Sequence, residues 1–98
     1  MLIYRELPEF SDWLYALRDL VAKQRLVMRL LRAKMGNLGD VKPVGNGVSE
    51  LRIDYGPGYR IYIKKRGNVL IVVLCGGDKS SQSNDIQRAL TLAQLLEE

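Results

Sequence analysis

Hydrophobic residues recur along this chain with two periods, one typical of helices and one typical of strands. Residues 8–18 carry apolar side chains at the i, i+3, i+4 and i+7 positions of an amphipathic helix, namely Phe10, Trp13, Leu14 and Leu17. Asp19 is placed as a cap or a helix–helix joint, and a second helix is predicted over residues 20–35, ended by Gly36. Two helices joined so closely are expected to pack as an antiparallel hairpin.

The second predicted helix carries an apolar stripe and a basic stripe. The apolar stripe, expected to face the core, consists of Leu20, Val27, Met28, Leu31 and Met35. The basic stripe consists of Arg25, Arg29 and Arg32. This second stripe either contacts a nucleic-acid backbone or an acidic partner helix, or is simply a solvated helix face.

Strand patterns occupy the start and the middle of the chain. A short strand is predicted over residues 2–5, whereas residues 36–47, which are rich in glycine, are predicted to form a loop. Residues 48–54 and 59–64 alternate apolar and polar positions on either side of a Gly-Pro-Gly turn. If the apolar positions face the helices, five polar positions share the opposite face, which are Glu50, Arg52, Arg60, Tyr62 and Lys64.

The last third of the chain predicts a central strand followed by a helix. Residues 69–74 are apolar on both faces, as in a strand covered on both sides. Gly76-Gly77 is expected to end this strand, and a serine at position 80, 81 or 83 is expected to cap the final helix. The order β-α-α-β-β-β-α predicts a single α+β domain over residues 1–98, with an antiparallel sheet and a helical hairpin packed on one face.

Composition narrows the class of protein. The 98 residues contain no histidine and a single cysteine, Cys75, so a disulfide framework and a Cys/His zinc site are both excluded, and no cofactor is predicted. No apolar run approaches the roughly 18 residues that span a bilayer. The N-terminus also lacks the pattern of a signal peptide. We therefore expect a cytoplasmic protein without a membrane partner.

The formal charge of +4 is unevenly distributed along the chain. Residues 18–66 contain twelve basic and four acidic side chains, so this region carries a net charge of +8 and the two ends together carry −4. Such a polarised chain is expected to bind a polyanion through its basic middle.

Two further clusters carry candidate chemistry. Arginines beside a tyrosine on one sheet face bind a phosphodiester and stack a base, although a solvated face with Arg–Glu pairs shows the same pattern. Residues 76–81 either present backbone N–H groups and Lys79 to an anion, or form a tight turn and a helix cap. Cys75 is expected to be a buried thiol.

Long ordered motifs extend over essentially the whole chain. They are Trp13-Leu-x-x-Leu-Arg-Asp, Gly36-Asn-Leu-Gly-Asp-Val-Lys-Pro-Val-Gly, Val48-Ser-Glu-Leu-Arg-Ile, Gly56-Pro-Gly-Tyr-Arg-Ile-Tyr and Leu74-Cys-Gly-Gly-Asp-Lys-Ser-Ser-Gln-x-x-Asp-Ile. Together they closely resemble the HigB-like "addiction module killer protein" branch of the RelE/ParE toxin superfamily. The resemblance implies a microbial-RNase-like fold and a type II toxin–antitoxin system, with a co-expressed antitoxin that is often a helix-turn-helix protein.

The same resemblance implies cleavage of mRNA in the ribosomal A site and a set of catalytic residues. Arg60 matches the catalytic arginine of the family, Arg52 a basic residue on the preceding strand, and Lys79 the basic residue after the last strand. Because guanidinium groups stay protonated, proton transfer is expected from Glu50, Tyr62 or Lys79, or from a ribosomal group. RNA contacts are predicted for Arg25, Arg29, Arg32, Lys42 and Lys64. No metal ligands cluster, so the predicted endoribonuclease is metal-independent.

Two alternatives follow from the same resemblance. In the ParE branch this fold inhibits DNA gyrase without cleaving RNA. A degenerate toxin that retains only antitoxin binding is the other alternative, because relatives often carry a Tyr or His in the final segment and this chain has neither after Tyr62. In each case the antitoxin is expected to cover the basic stripe or the sheet face with an acidic or apolar segment.

Overall fold

A computed structural model describes residues 2–96, which form a five-stranded sheet and three α-helices. The elements follow in the order β1 (Ile3–Glu6), α1 (Pro8–Ala16), α2 (Leu20–Lys34), β2 (Val41–Gly45), β3 (Val48–Ile53), β4 (Tyr59–Arg66), β5 (Leu70–Asp78) and α3 (Gln82–Leu96), with a 3₁₀ turn over Lys79–Ser81. The α+β class predicted from the sequence is confirmed.

The strand order across the sheet is β1-β5-β4-β3-β2. The β3-β4-β5 meander is antiparallel, as predicted, whereas β1 pairs with β5 in parallel. The prediction of a purely antiparallel sheet is therefore wrong at β1. Parallel neighbours need a long crossover connection, which the intervening helices and strands supply.

The predicted loop over residues 36–47 contains the strand β2, which pairs antiparallel with β3. Pro43 is compatible with this strand because β2 lies at the edge of the sheet, where one row of N–H groups has no strand partner. Val41 and Val44 are half-buried and pack against the cores on the two faces of the sheet. The loop prediction was wrong because glycine and proline obscure the short strand between them.

The two faces of the sheet carry separate hydrophobic cores. Helices α1 and α2 cover one face, where they enclose Leu51, Ile53, Ile61 and Ile63. Helix α3 covers the other face and contributes Ala89 and Ala93, with Ile86 and Leu90 packed beside them. The prediction that both N-terminal helices lie on one face of the sheet is confirmed.

Helix α2 turns toward the sheet a different face from the one predicted. Asp19 caps the helix, which is one of its two predicted roles. Its carboxylate accepts hydrogen bonds from the N–H groups of Val21 and Ala22. The residues buried against the sheet are Ala22, Leu26, Leu30 and Ala33. The predicted core stripe is exposed instead, with Leu20, Val27, Met28, Leu31 and Met35 all at the surface. The alanines let the helix approach the sheet closely, which the larger side chains would prevent.

Gly76 and Gly77 lie inside β5 rather than ending it. A Cβ atom on Gly76 would lie 2.5 Å from ring carbons Cε3 and Cζ3 of Trp13, and one on Gly77 would overlap the Asp85 carboxylate. The glycines are therefore needed because α1 packs on one side of the strand and α3 on the other.

We expect Gly76→Ala to lower the free energy of unfolding by about 1–3 kcal/mol, because the Trp13 ring or the strand must move to accommodate the methyl group. Urea denaturation followed by circular dichroism measures this change. Ser83→Ala, at an exposed position of α3, is the matched control. A Gly76→Ala variant as stable as this control would contradict the packing described here.

Candidate functional site

Strand pairing places the two predicted catalytic arginines opposite each other. In the β3–β4 register Arg52 pairs with Arg60, and Glu50 pairs with Tyr62. Directly opposed residues of an antiparallel pair lie on the same face of a sheet. The four side chains therefore share the face that α3 partly covers, as the alternation of the hairpin predicted.

The centre of this cluster is the carboxylate of Glu50, whose exposed fraction is 0%. It accepts hydrogen bonds from Gln82 Nε2 at 2.9 Å, from Arg52 Nε at 3.1 Å and from the Tyr62 hydroxyl at 3.1 Å. Arg60 Nε lies 3.7 Å from Glu50 Oε2, which is within ion-pair distance. Glu50 thus joins β3, β4 and α3 and anchors both arginines.

Burial and hydrogen bonding shift the pKa of the Glu50 carboxyl in opposite directions. Burial raises the pKa, but the hydrogen bonds from Gln82, Arg52 and Tyr62, together with the charge of Arg60, outweigh burial and hold the pKa below its ordinary value. Burial and the adjacent carboxylate both raise the pKa of the Tyr62 phenol. Near neutral pH the pair is therefore a carboxylate and a neutral phenol.

Glu50 and Tyr62 were both predicted as candidate proton carriers, yet both lie entirely beneath the surface, each with an exposed fraction of 0%. A general base or acid has to reach the proton that it transfers, directly or through one water molecule. The Tyr62 hydroxyl is directed at Glu50, and the carboxylate oxygens already accept three hydrogen bonds. In this arrangement the two side chains position the arginines rather than reach a substrate.

The guanidinium groups of Arg52 and Arg60 extend from this buried anchor toward the surface. The exposed fraction of the side chain is 36% for Arg52 and 12% for Arg60. Arg60 Nη1 donates to the Gly58 carbonyl at 2.7 Å, whereas its buried Nε donates to no acceptor within residues 2–96. Two adjacent guanidinium groups present the donor forks that bind phosphate oxygens.

Lys79 lies near Arg60, and the β3–β4 turn lies between the two residues. Its backbone N–H donates to the Pro57 carbonyl at 3.4 Å, and its side chain is exposed. A Cβ atom on Gly58 would lie 3.2 Å from Arg60 Nη1 and 3.5 Å from Lys79 Cβ, so this glycine separates the two cationic residues. The structure thus brings Arg52, Arg60 and Lys79 into one region.

The segment that follows β5 forms a helix cap. The Asp78 carboxylate accepts a hydrogen bond from the Ser80 N–H at 2.8 Å, and Ser81 completes a capping box. Hydrogen bonds from Ser80 and the nearby charge of Arg60 hold the pKa of Asp78 below its ordinary value. Of the two roles predicted for residues 76–81, the structure supports the turn and cap. The Asp78 carboxylate already accepts the backbone hydrogen bond that a bound anion would otherwise accept.

Arg29 has a structural role that the sequence pattern did not reveal. Its guanidinium donates to three backbone carbonyls, those of Leu38, Asp40 and Arg52. Burial lowers the pKa of Arg29, although the charge of Asp40 opposes this effect. These hydrogen bonds join α2 to the segment before β2 and to β3, and they leave little of the guanidinium for the predicted RNA contact.

We expect Arg29→Ala to lower the free energy of unfolding by about 1.5–3 kcal/mol, because three carbonyls lose a charged hydrogen-bond donor. Arg32→Ala, at an exposed position on the same helix, is expected to change it by less than about 0.5 kcal/mol. Urea denaturation of both variants tests this difference. Equal stabilities would show that Arg29 contributes no more than a surface arginine.

The other predicted RNA-binding residues lie in different places. Arg25 and Arg32 are exposed on α2, and Arg25 stacks over the ring of Tyr55 at 4.6 Å. Lys42 is exposed on β2 opposite Glu50, and so lies on the face of the arginine pair. Lys64 shares that face but is buried, with an exposed fraction of 7%. The predicted set is therefore divided between the two sides of the sheet.

Gln82 is a member of the cluster that sequence reasoning missed. It is the first residue of α3, and its amide reaches Glu50 from a distant part of the chain. The only signal was its place at the helix start that follows the last strand.

Over residues 2–96 no group of three His, Cys, Asp or Glu side chains could hold a metal ion, and none of the helices is long and apolar enough to cross a membrane.

Comparison with known proteins identifies a relative that covers most of the chain. An uncharacterized protein of Haemophilus influenzae is 51% identical over 87 residues, a match that covers 89% of this chain and 88% of the relative. No protein-family model matches the chain.

Proposed function

We propose that this chain, which belongs to one family with the Haemophilus influenzae protein, is the toxin of a type II toxin–antitoxin system and cleaves mRNA on the ribosome. The observation that carries this proposal is the Arg52–Arg60 pair, fixed by the buried Glu50 carboxylate and lying beside Lys79. The motifs that resemble HigB-like members of the RelE/ParE superfamily run through the same residues. Because translating ribosomes are cytoplasmic in bacteria, the proposed activity is cytoplasmic as well.

The arrangement suits the electrostatic part of RNA cleavage. In this reaction the ribose 2′-oxygen forms a bond to phosphorus as the bond to the 5′-oxygen breaks, and negative charge increases on the phosphate oxygens. Arg52 and Arg60 would hold these oxygens through charged hydrogen bonds already oriented before the reaction. Preorganised donors of this kind need no rearrangement during the chemical step.

The proton transfers require other groups, because one proton leaves the 2′-hydroxyl and one reaches the departing 5′-oxygen. The burial of Glu50 and Tyr62 leaves Lys79 as the exposed candidate from the predicted set. A ribosomal group is the other source, since the proposed substrate is bound on the ribosome. In the proposal, the proton carriers are therefore Lys79, a ribosomal group, or both.

The test is controlled expression of the full chain in bacteria, with transcript 5′ ends mapped and protein synthesis measured after induction. The proposal expects new 5′ ends within translated regions and a fall in protein synthesis before growth stops. Growth arrest with unchanged transcript ends and undiminished protein synthesis would refute it.

A gyrase inhibitor of the ParE type is a second candidate, favoured by the burial of both Glu50 and Tyr62. A protein that only binds its target needs no proton carrier. DNA breakage and an SOS response during growth arrest, without cleaved transcripts, would identify this function. A chain that arrests nothing would instead fit a degenerate toxin that retains only antitoxin binding.

A further inference from the structure

The outer face of α2 exposes a continuous row of large apolar side chains. We call this row the α2 outer face; it consists of Leu20, Val27, Met28, Leu31 and Met35, with Val21 at its border. Their exposed fractions range from 42% to 70%. Their spacing places them on one side of the helix, opposite the residues that pack on the sheet. Contiguous exposed apolar surface of this kind marks an interaction site.

Basic side chains border this apolar row on both sides. Helix α2 contains five Lys and Arg residues and no Asp or Glu. By the helical period, Arg25 and Arg32 lie along one edge of the row, and Lys23 and Lys34 lie along the other. A matching partner therefore has an apolar centre and acidic edges.

A cleft of about 630 Å³ extends this surface toward the sheet. Its lining includes Val21 and Met28 from the apolar side, the arginines Arg25, Arg32 and Arg52, and the acidic residues Asp40 and Asp54. The cleft thus extends the α2 outer face to the end of β3, where Arg29 donates to the Arg52 carbonyl.

Charge decides between the possible occupants of this face. A second copy of the chain would bring the four cationic side chains at the edges of this face against four others, which opposes association. RNA would satisfy the cations but would leave the apolar row between them without a matching surface. An amphipathic acidic helix satisfies both features in the manner of a helix bound in a groove.

We propose that the α2 outer face binds an amphipathic helix of a partner protein, with apolar residues along its centre and Asp or Glu along both edges. The identity of this partner as the antitoxin rests on the function proposed above, whereas the chemistry of the surface does not. The partner helix would lie over the apolar row and pair with Arg25, Arg32, Lys23 and Lys34.

The test uses the full chain and a fluorescent synthetic peptide of 18 residues, with leucines on one helical face and glutamates on both flanks. A peptide of the same composition with the leucines dispersed around the helix is the matched probe. We expect the amphipathic peptide to bind and the dispersed peptide to bind at least about tenfold more weakly in fluorescence anisotropy, a difference of about 1.4 kcal/mol.

Variants of the chain locate the binding surface. The double variant Met28→Ser/Leu31→Ser and the double variant Arg25→Glu/Arg32→Glu are each expected to weaken peptide binding at least about tenfold. Val69→Ser and Arg66→Glu, at exposed positions outside α2, are the matched controls and are expected to bind as the wild type does. All six substituted positions are exposed, and a thermal melt confirms that each variant folds.

Four results would overturn the proposal. Equal binding of the two peptides would show that the α2 outer face does not select an amphipathic helix. Wild-type affinity in both α2 variants would show that the peptide does not bind there. Tight binding of a single-stranded oligoribonucleotide that is lost in Arg25→Glu/Arg32→Glu but kept in Met28→Ser/Leu31→Ser assigns the face to RNA. A dimer in analytical ultracentrifugation that Met28→Ser/Leu31→Ser dissociates assigns it to a second copy.

Transcript mapping with the wild type and Met28→Ser/Leu31→Ser separates this inference from the proposed function. Peptide binding without any transcript cleavage would support the binding surface and refute the proposed mRNA cleavage. Transcript cleavage by both chains without selective peptide binding would support the proposed function and refute the binding surface.

Discussion

Replacing Arg60 with alanine is expected to slow transcript cleavage by roughly 10²–10³-fold, the loss typical of removing one preorganised donor from a developing charge. The guanidinium is held between the Gly58 carbonyl and the Glu50 carboxylate, directly opposite Arg52. The fold should survive, because Glu50 keeps its hydrogen bonds from Arg52, Tyr62 and Gln82. Cleavage by purified protein on programmed ribosomes measures the rate, and a thermal melt measures the fold.

Two further variants make this result specific to Arg60. Arg60→Lys keeps the charge but loses the planar donor fork, so its rate should fall between those of the wild type and Arg60→Ala. Arg66→Ala removes an exposed arginine from the same strand and should leave the rate unchanged. A folded Arg60→Ala chain that cleaves as fast as Arg66→Ala would exclude Arg60 from the site.

Replacing Glu50 with alanine is expected to lower the free energy of unfolding by about 3–5 kcal/mol, because the largely buried Arg60 loses its counter-ion and the buried Tyr62 hydroxyl loses its acceptor. The carboxylate is the common acceptor for Arg52, Tyr62 and Gln82 and is the ion-pair partner of Arg60. Urea denaturation at pH 7 measures the change. Because the arginines lose their anchor, cleavage should also fall in this variant.

The pH dependence of Glu50→Gln tests whether the ionised carboxylate is responsible. A carboxyl whose pKa is lowered on folding stabilises the protein above its unfolded pKa, about 4.3, and loses that contribution as the pH falls through the folded pKa. The stability difference between the wild type and Glu50→Gln should therefore be constant from pH 7 to about pH 5 and shrink below about pH 4.3. The comparison cancels the effect of Asp78, whose lowered pKa affects both chains equally. A difference that persists undiminished at pH 3 would mean that the charge of Glu50 does not hold the arginines.

The shared face of the arginines was predictable from the sequence because it depends on local alternation. Strands β3 and β4 are joined by a short turn, so their period of two places Arg52 and Arg60 on one side. The burial of Glu50 and Tyr62 was not predictable in this way. It results from α3, which lies on that face, and no pattern within β3 or β4 reports what packs above them.

The orientation of α2 could not be deduced because the helix has two apolar arcs. One contains Ala22 and Leu26, and the other contains Met28 and Leu31. Periodicity favours the arc with the larger side chains, whereas close packing on the sheet favours the arc with alanines. Arg29 borders the buried arc, so a stripe predicted as one surface contains both a structural arginine and two exposed ones.

The pairing of β1 with β5 has a consequence for the order of events during synthesis. The first strand of the chain has no neighbour in the sheet until the last strand has been made, since β5 alone lies beside it. Gln82 and the rest of α3, which complete the surroundings of Glu50, follow later still. Contacts between distant parts of a chain form slowly and late in folding. In a growing chain the arginine pair therefore lacks its full anchor until α3 has emerged from the ribosome, so the site assembles only after β5 and α3 have both been made.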